Sequence, residues 1–313
     1  MSSRYYIQKL FRALLTIWII ITFVFIVMRL SGDSVLMIFG PDVDAEAMNT
    51  LREEWGLNKS IWRQYLYYIG NVFQGDMGKS YLDGRPAFVV VMERVPKTLS
   101  LMGITAIVTF LIGIPAGIYS ALHHNTRTDR ATMTLSVMGL SVPNFFLGVL
   151  MILLFSVVWQ LLPSAGSETA WHYVMPVITM ATAEASVFAR FTRSAMLEVL
   201  NLPYIRTALA KGVPWKQVVR KHALPNAAIP TVTIAGFFVG SLVVGGVVTE
   251  NVFAWPGVGR LLVNAVANRD VAVVQMAVLL ISFSMVTTNL IVDFAYGWLD
   301  PRVRDLRTED RQE

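Results

Sequence analysis

Six long apolar runs divide this chain, and they constrain its fold more than any other feature. Leu10 to Met28 is apolar apart from Arg12. It is close to the ~20 residues an α-helix needs to cross ~30 Å of hydrocarbon. Thr98 to Leu122, Phe145 to Leu162, Tyr173 to Ala189, Ala227 to Val248 and Val271 to Trp298 follow. In lipid every backbone N–H and C=O must be paired within the protein, so apolar runs of this length form helices. The expectation is an all-α polytopic membrane protein with six transmembrane helices. Composition agrees: the 313 residues are 55% hydrophobic and 15% charged, against about 25% charged in soluble domains. Mean hydropathy is +0.55. Cysteine is absent, which removes disulfides, a thiol nucleophile and thiolate metal sites from consideration.

The first run reads as an uncleaved helix and not as a secretory leader. It exceeds a typical signal core, and Arg29-Leu30-Ser31-Gly32-Asp33 follows it in place of a small-x-small cleavage site. Residues 30–97 form the one sizeable non-membrane region before the centre of the chain. Ala45 to Trp55 and Ile61 to Phe73 have helical composition, and the Trp and Tyr residues suit a small helical cap at the membrane interface. The phrase Gly75-Asp76-Met77-Gly78-Lys79-Ser80 is no phosphate loop, because Phe73 stands where its first glycine belongs. Ala131 to Leu162 would be ~48 Å long if wholly helical, too long for one straight span, and Pro143-Asn144 divides it. His123 and His124 lack a nearby third ligand and read as part of a solvated turn.

Charge orients the spans. Bases cluster at Arg4, Lys9 and Arg12, at Arg127 and Arg130, from Arg190 to Lys221, and from Arg302 to Arg311. The alternate loops hold none (Pro163 to Trp171) or only Arg260 and Arg269. Residues 30–97 exceed the ~60 residues beyond which such counting loses force. By the positive-inside rule both termini are cytoplasmic, and so is the segment Tyr204 to Asn226. The net charge of +5 is explained by that placement without a nucleic-acid partner.

Tyr204 to Asn226 is a basic helix-Gly-helix elbow. Ile205 to Lys211 are good helix formers stopped by Gly212, Val213 and Pro214. Trp215 to Ala223 reads as a second helix, ended by Leu224-Pro225-Asn226. The elbow resembles the cytoplasmic loop of permease subunits of ABC transporters, whose pattern is an acidic residue and two alanines, three residues, Gly, nine residues, then an aliphatic residue, x, Leu-Pro. Gly212 and Leu224-Pro225 stand at that spacing. Arg206 replaces the acid, Thr207 and Ala208 follow it, and His222 replaces the aliphatic residue. Those departures resemble the dipeptide, oligopeptide and nickel importers. Phrases similar to that branch recur in order, including Arg94-Val95-Pro96-Lys97-Thr98-Leu99, Ala189-Arg190-Phe191-Thr192-Arg193 and Glu250-Asn251-Val252-Phe253-Ala254-Trp255-Pro256-Gly257-Val258-Gly259.

The resemblance implies a type I ABC importer permease fold, like that of the methionine permease, with a periplasmic helical insertion after the first span. Its segments would be residues 1–29 (N-terminus and first helix), 30–97 (extracytoplasmic cap), 98–298 (permease core, with a coupling loop at 200–226) and 299–313 (cytoplasmic tail). It implies a bacterial inner membrane and several partners: a second permease subunit, two cytoplasmic ATPases and an extracytoplasmic solute-binding protein. ATP and Mg would be bound by the ATPases, with no cofactor, metal or catalytic residue in this chain. Coupling would run through Arg206, Thr207, Ala208, Lys211, Gly212, His222, Pro225 and Asn226. Peptides are the solute the resemblance favours, with nickel complexes, glutathione and opine-like compounds as alternatives. Asn144, Glu184 and Asn289 are polar candidates for the translocation pathway, since an intramembrane carboxylate or amide is costly unless it faces the bundle or a wet cavity. A self-contained secondary transporter is disfavoured by the lack of an internal repeat, and a membrane enzyme by the lack of any catalytic motif.

Overall fold

The structure, a computed structural model, describes residues 3–30, 49–50, 52–53 and 58–299. Most of Ala45 to Trp55, the Gly56-Leu57 pair and the charged tail lie outside the described residues. Among the described residues the secondary structure is helical, with one isolated bridge between Lys79 and Pro86. Four helices are long and apolar enough to cross a membrane alone, and a bent pair makes a fifth candidate.

Helix α1 (Ser3–Leu30) packs along α12 (Val271–Leu299) and leaves Phe11, Trp18 and Phe23 exposed, as a lipid-facing helix would. Helix α2 (Ile61–Gln74) rests on α1 through Tyr65, whose hydroxyl lies 2.7 Å from that of Thr22, and through Tyr68, stacked on Phe25 at 5.5 Å. It ends at Gly75, whose φ of +76° closes the helix while the N–H groups of Gly75 and Asp76 donate to Val72 and Asn71. A tight hairpin leads into α3 (Ala87–Met92), whose buried Ala87 and Val91 join Val273 and Ala277 of α12 in one apolar core.

The centre of the fold is the pairing of α4 (Val95–Leu122) with α7 (Trp171–Leu200). Gly113 and Gly117 on α4 face Ala185 and Ala189 on α7, two small-xxx-small pairs in register. A Cβ at Gly113 would lie 2.7 Å from the carbonyl of Ala185, and one at Gly117 2.5 Å from that of Ala189. Association in lipid depends on such close backbone approach, because burying apolar surface gains nothing there. Further along, Phe188 of α7 meets Phe110 of α4 and Phe238 of α10 (Leu224–Val252) edge to face, at 5.1 and 5.3 Å.

Helix α5 (Arg127–Ser141) and α6 (Asn144–Met151) meet at Pro143 with a bend of 94°, so the division expected there is present. A π-helical stretch, Ile152–Val158, continues α6. The helix therefore stops short of Leu161 and Leu162, which fall within the apolar run. The fourth run also differs: it lies within a 30-residue helix, and Arg190 and Arg193 fall inside α7 instead of ending it.

Candidate functional site

The elbow begins with α8 (Pro203–Ala210), where Pro203 occupies the first turn and so displaces no helical N–H bond. Gly212 then takes φ +79°, with its N–H donating to Leu209 and that of Val213 to Ala208. A Cβ at Gly212 would meet nothing within 4 Å. The glycine is required by the backbone turn and not by crowding.

Past Pro214 the chain forms α9 (Trp215–Val218), then a π turn over Val219–Ala223, and runs without a stop into α10. This corrects the expectation that Leu224-Pro225-Asn226 ends the second helix. Proline in a helix lacks its N–H and crowds the carbonyl four residues back, and the wider π turn just before Pro225 accommodates both defects. Beside it, the carbonyl of His222 accepts from the Asn226 side chain at 2.7 Å and from the Tyr204 hydroxyl at 3.4 Å. The elbow is thus a rigid extension of α10, folded back on itself.

Its inner face is apolar. Ile205, Val218, Ala223 and Ala227 form one buried cluster with Ala121 of α4 and Ala195, Met196 and Val199 of α7. Ile205 is 1% and Val218 0% exposed. Displacing the elbow must therefore displace the ends of α4, α7 and α10 together. Its outer face carries Tyr204, Leu209 and Trp215, all large, apolar and at least one-third exposed. Arg206, Thr207, Lys211, Gly212, Lys216, Pro225 and Asn226 are exposed, while Ala208 and His222 are half-buried. Six of the eight residues expected to act in coupling are thus open to a partner, and the other two lie at the seam.

The three expected pathway residues are scattered. Asn144 opens α6 at the bend, Glu184 is half-buried in mid-α7, and Asn289 lies on α12. Among the described residues no hydrogen bond joins any two of them. No cluster of three His, Asp or Glu side chains suited to a metal occurs among the described residues.

The phrase from Glu250 to Gly259 has a structural reason that its sequence pattern does not reveal. Glu250, at the far end of α10, is 1% exposed. The Thr98 hydroxyl donates to its Oε1 at 2.7 Å and the Arg260 N–H to its Oε2 at 3.1 Å. Thr98 in turn accepts from the Val258 N–H at 2.8 Å, and the Trp255 indole donates to the Lys97 carbonyl at 3.0 Å. Gly257 precedes α11 (Val258–Ala267), and a Cβ on it would lie 2.2 Å from the Glu250 carboxylate. A Cβ on Gly259 would lie 2.6 Å from the Val247 backbone. The Glu, Trp and both Gly positions of the phrase are thus one clasp joining α4, α10 and α11.

Known proteins match the sequence over nearly the whole chain and the fold over two thirds of it. The family model described as binding-protein-dependent transport system inner membrane component matches residues 113–305. The N-terminal model of the same group of membrane components matches residues 2–102. The glutathione transport system permease protein GsiC of Escherichia coli strain K12 is 41% identical over 301 residues, covering 96% of this chain and 98% of that protein. Its counterpart in Shigella flexneri serotype 5b is 40% identical over the same coverage. Two inward-facing structures of the MetNI methionine ABC transporter align with TM-scores of 0.53 and 0.57 at 21% identity, over 67% of this chain and 96% of theirs, a likeness of fold. The chain is therefore a member of the binding-protein-dependent inner-membrane permeases of ABC importers, in the peptide-permease-like group that includes the glutathione permeases.

Proposed function

We propose that this chain is one of two different permease subunits of an importer for small peptides, and that the Tyr204 to Asn226 elbow is the lever through which two cytoplasmic ATPases drive it. The observation that carries this reading is the two-sidedness of the elbow. Its inner face is buried against three spans, and its outer face presents Tyr204, Leu209 and Trp215 among bases. Exposed aromatic and aliphatic anchors of this kind are what a groove on a partner takes up. The neighbouring bases, being solvated, steer and orient more than they bind.

In this reading α10 is the span added to the five candidates, giving six, with both termini and the elbow in the cytoplasm. Residues 30–97 are the extracytoplasmic insertion, 98–298 the permease core with its coupling loop at 200–226, and 299–313 the cytoplasmic tail. Asn144, Glu184 and Asn289 face the pathway shared with the second permease. An extracytoplasmic binding protein delivers the solute, and closure of the ATPases tilts α7 and α10 through the elbow to exchange the open side of the pore. The GsiC relatives favour a second reading of the solute, glutathione, itself a short peptide.

Uptake by vesicles carrying the assembled importer separates the two. ATP-dependent entry of a labelled dipeptide, outcompeted by unlabelled dipeptides and not by glutathione, supports the peptide reading. Entry of glutathione alone replaces it with the glutathione reading.

A further inference from the structure

We infer that Asp129 and Arg193 form a positioning latch that makes α5 follow the elbow. The inference rests on reading the elbow as the lever. Asp129, in the first turn of α5, is 3% exposed, an unusual state for a carboxylate. Arg193 of α7 grips it with both arms, Nε to Oδ1 at 2.6 Å and Nη2 to Oδ2 at 2.8 Å. The Ser120 hydroxyl of α4 donates to Oδ1, and the Asn125 N–H to Oδ2 at 2.9 Å. His124, in the turn before α5, lies 3.1 Å from the Arg193 guanidinium. One carboxylate thus joins three helices, with both oxygens occupied.

The place of this cluster gives it a mechanical meaning. Ser120 adjoins Ala121, and Arg193 lies within a turn of Ala195 and Met196. Those three small or flexible neighbours are part of the apolar seat of the elbow. Among the described residues none from α5 belongs to that seat. Force entering at Ile205 and Val218 therefore reaches α4 and α7 through apolar packing; α5 also lies along α7, with Gly139 against Thr182 and Ser186, and at its start the polar tie is Asp129. Beyond the bend, Gly148 of α6 sits against Val252 and Phe253 at the far end of α10, where an added Cβ would lie 3.1 Å from Val252. The segment α5–α6 is thus tied at its start to α7 through Asp129 and, within α6, to the far end of α10 through Gly148. A bidentate, part-buried ion pair is a stiffer tie than an apolar contact, because its geometry has little tolerance.

The test uses the whole importer in vesicles, with uptake and ATP hydrolysis measured together in the presence of loaded binding protein. A variant that is merely less stable loses both rates in proportion. Loss of the latch instead lowers solute moved per ATP. Asp129→Asn, nearly isosteric, is expected to lower that ratio about five- to tenfold while the ATPases stay bound and stimulated, an effect of the size that residues along coupling networks exert. Arg193→Lys, which keeps the charge and loses the two-armed grip, is expected to fall between it and wild type. Should Asp129→Asn fail to accumulate, Ser120→Ala removes one of the four hydrogen bonds and should still lower the ratio, by about twofold. A wild-type ratio in Asp129→Asn, or in both Ser120→Ala and Arg193→Lys, overturns the latch. Absence of any binding-protein stimulation in the wild-type importer would overturn the lever reading itself, and the latch with it.

Discussion

Replacing Glu250 by Gln tests whether the clasp at the far end of α10 holds three helices together. The side chain keeps its size, so no cavity opens. It now carries one acceptor and one NH2 where the carboxylate offered two acceptors. The Thr98 hydroxyl at 2.7 Å and the Arg260 N–H at 3.1 Å both need an acceptor, so one of them must face a donor. A hydrogen bond to a charged group contributes about 1.5–3 kcal/mol, and a stranded buried donor costs about 1–3. Relief from burying a carboxylate offsets part of this. The net loss should be about 2 kcal/mol, or a fall of about 3 °C in unfolding temperature for 313 residues at about 2.1 cal/mol/K of unfolding entropy per residue. Thr98→Val should cost at least as much, because it also strands the Val258 N–H. Since the two side chains share one bond, the double variant should be less destabilised than the sum of the singles. Thermal unfolding of the purified protein in detergent measures all three. A Gln variant within about 1 °C of wild type, with additive effects in the pair, would refute the clasp.

Other expectations follow from the same geometry. Ile205→Ala should remove about 2–4 kcal/mol of packing between elbow and spans, seen as faster hydrogen exchange of the backbone amides of α8 without loss of membrane insertion. Burial pushes the Asp270 carboxyl above its ordinary value, with the Ser80 hydroxyl and the Val273 N–H working against the shift. The unfolded chain then loses its proton first as pH rises, so the contribution of this group is full below the ordinary value of 3.8 and is lost as pH climbs through the raised one. Unfolding temperature measured against pH should show a decline over that window which Asp270→Asn makes shallower. Because the chain has no cysteine, single cysteines report topology directly. Trp62→Cys should react with an impermeant reagent added outside intact cells, and Lys216→Cys only after the membrane is opened.

How much of this is legible in the sequence depends on the range of the forces involved. The apolar runs, the break at Pro143 and the turn at Gly212 are dictated locally, by hydrocarbon thickness, a missing N–H and a positive φ; the structure places the break and the turn where the residues do, and makes four single helices of spanning length and a bent fifth candidate out of the runs. Helix ends are less legible. Arg190 and Arg193 read as a membrane boundary, yet α7 continues to Leu200 because Asp129 accepts the Arg193 guanidinium and the rest of the turn packs on the elbow. Pro225 reads as a stop, yet a π turn carries the helix past it. Long-range pairs are the least legible. Thr98 and Glu250 are 152 residues apart and Asp129 and Arg193 are 64 apart, and nothing in one sequence says which acid meets which donor. The His123-His124 turn, which reads as merely solvated, contains a histidine bound to that second pair. Its nearest sequence signal is an acid, Asp129, standing alone among bases.

In the proposed reading, the outer face of the elbow is where the lever meets its drive. Leu209 and Trp215 are 41% and 48% exposed, so replacing both by Asp should leave the fold and membrane insertion of this chain intact. The decisive measurement is the ATP hydrolysis rate of the reconstituted importer, with and without loaded binding protein, for wild type and for the Leu209→Asp, Trp215→Asp variant. The expected result is that the variant loses the stimulated component and its hold on the ATPases while the two permeases still assemble. Wild-type stimulation and uptake in that variant would show that the elbow is only a connecting loop.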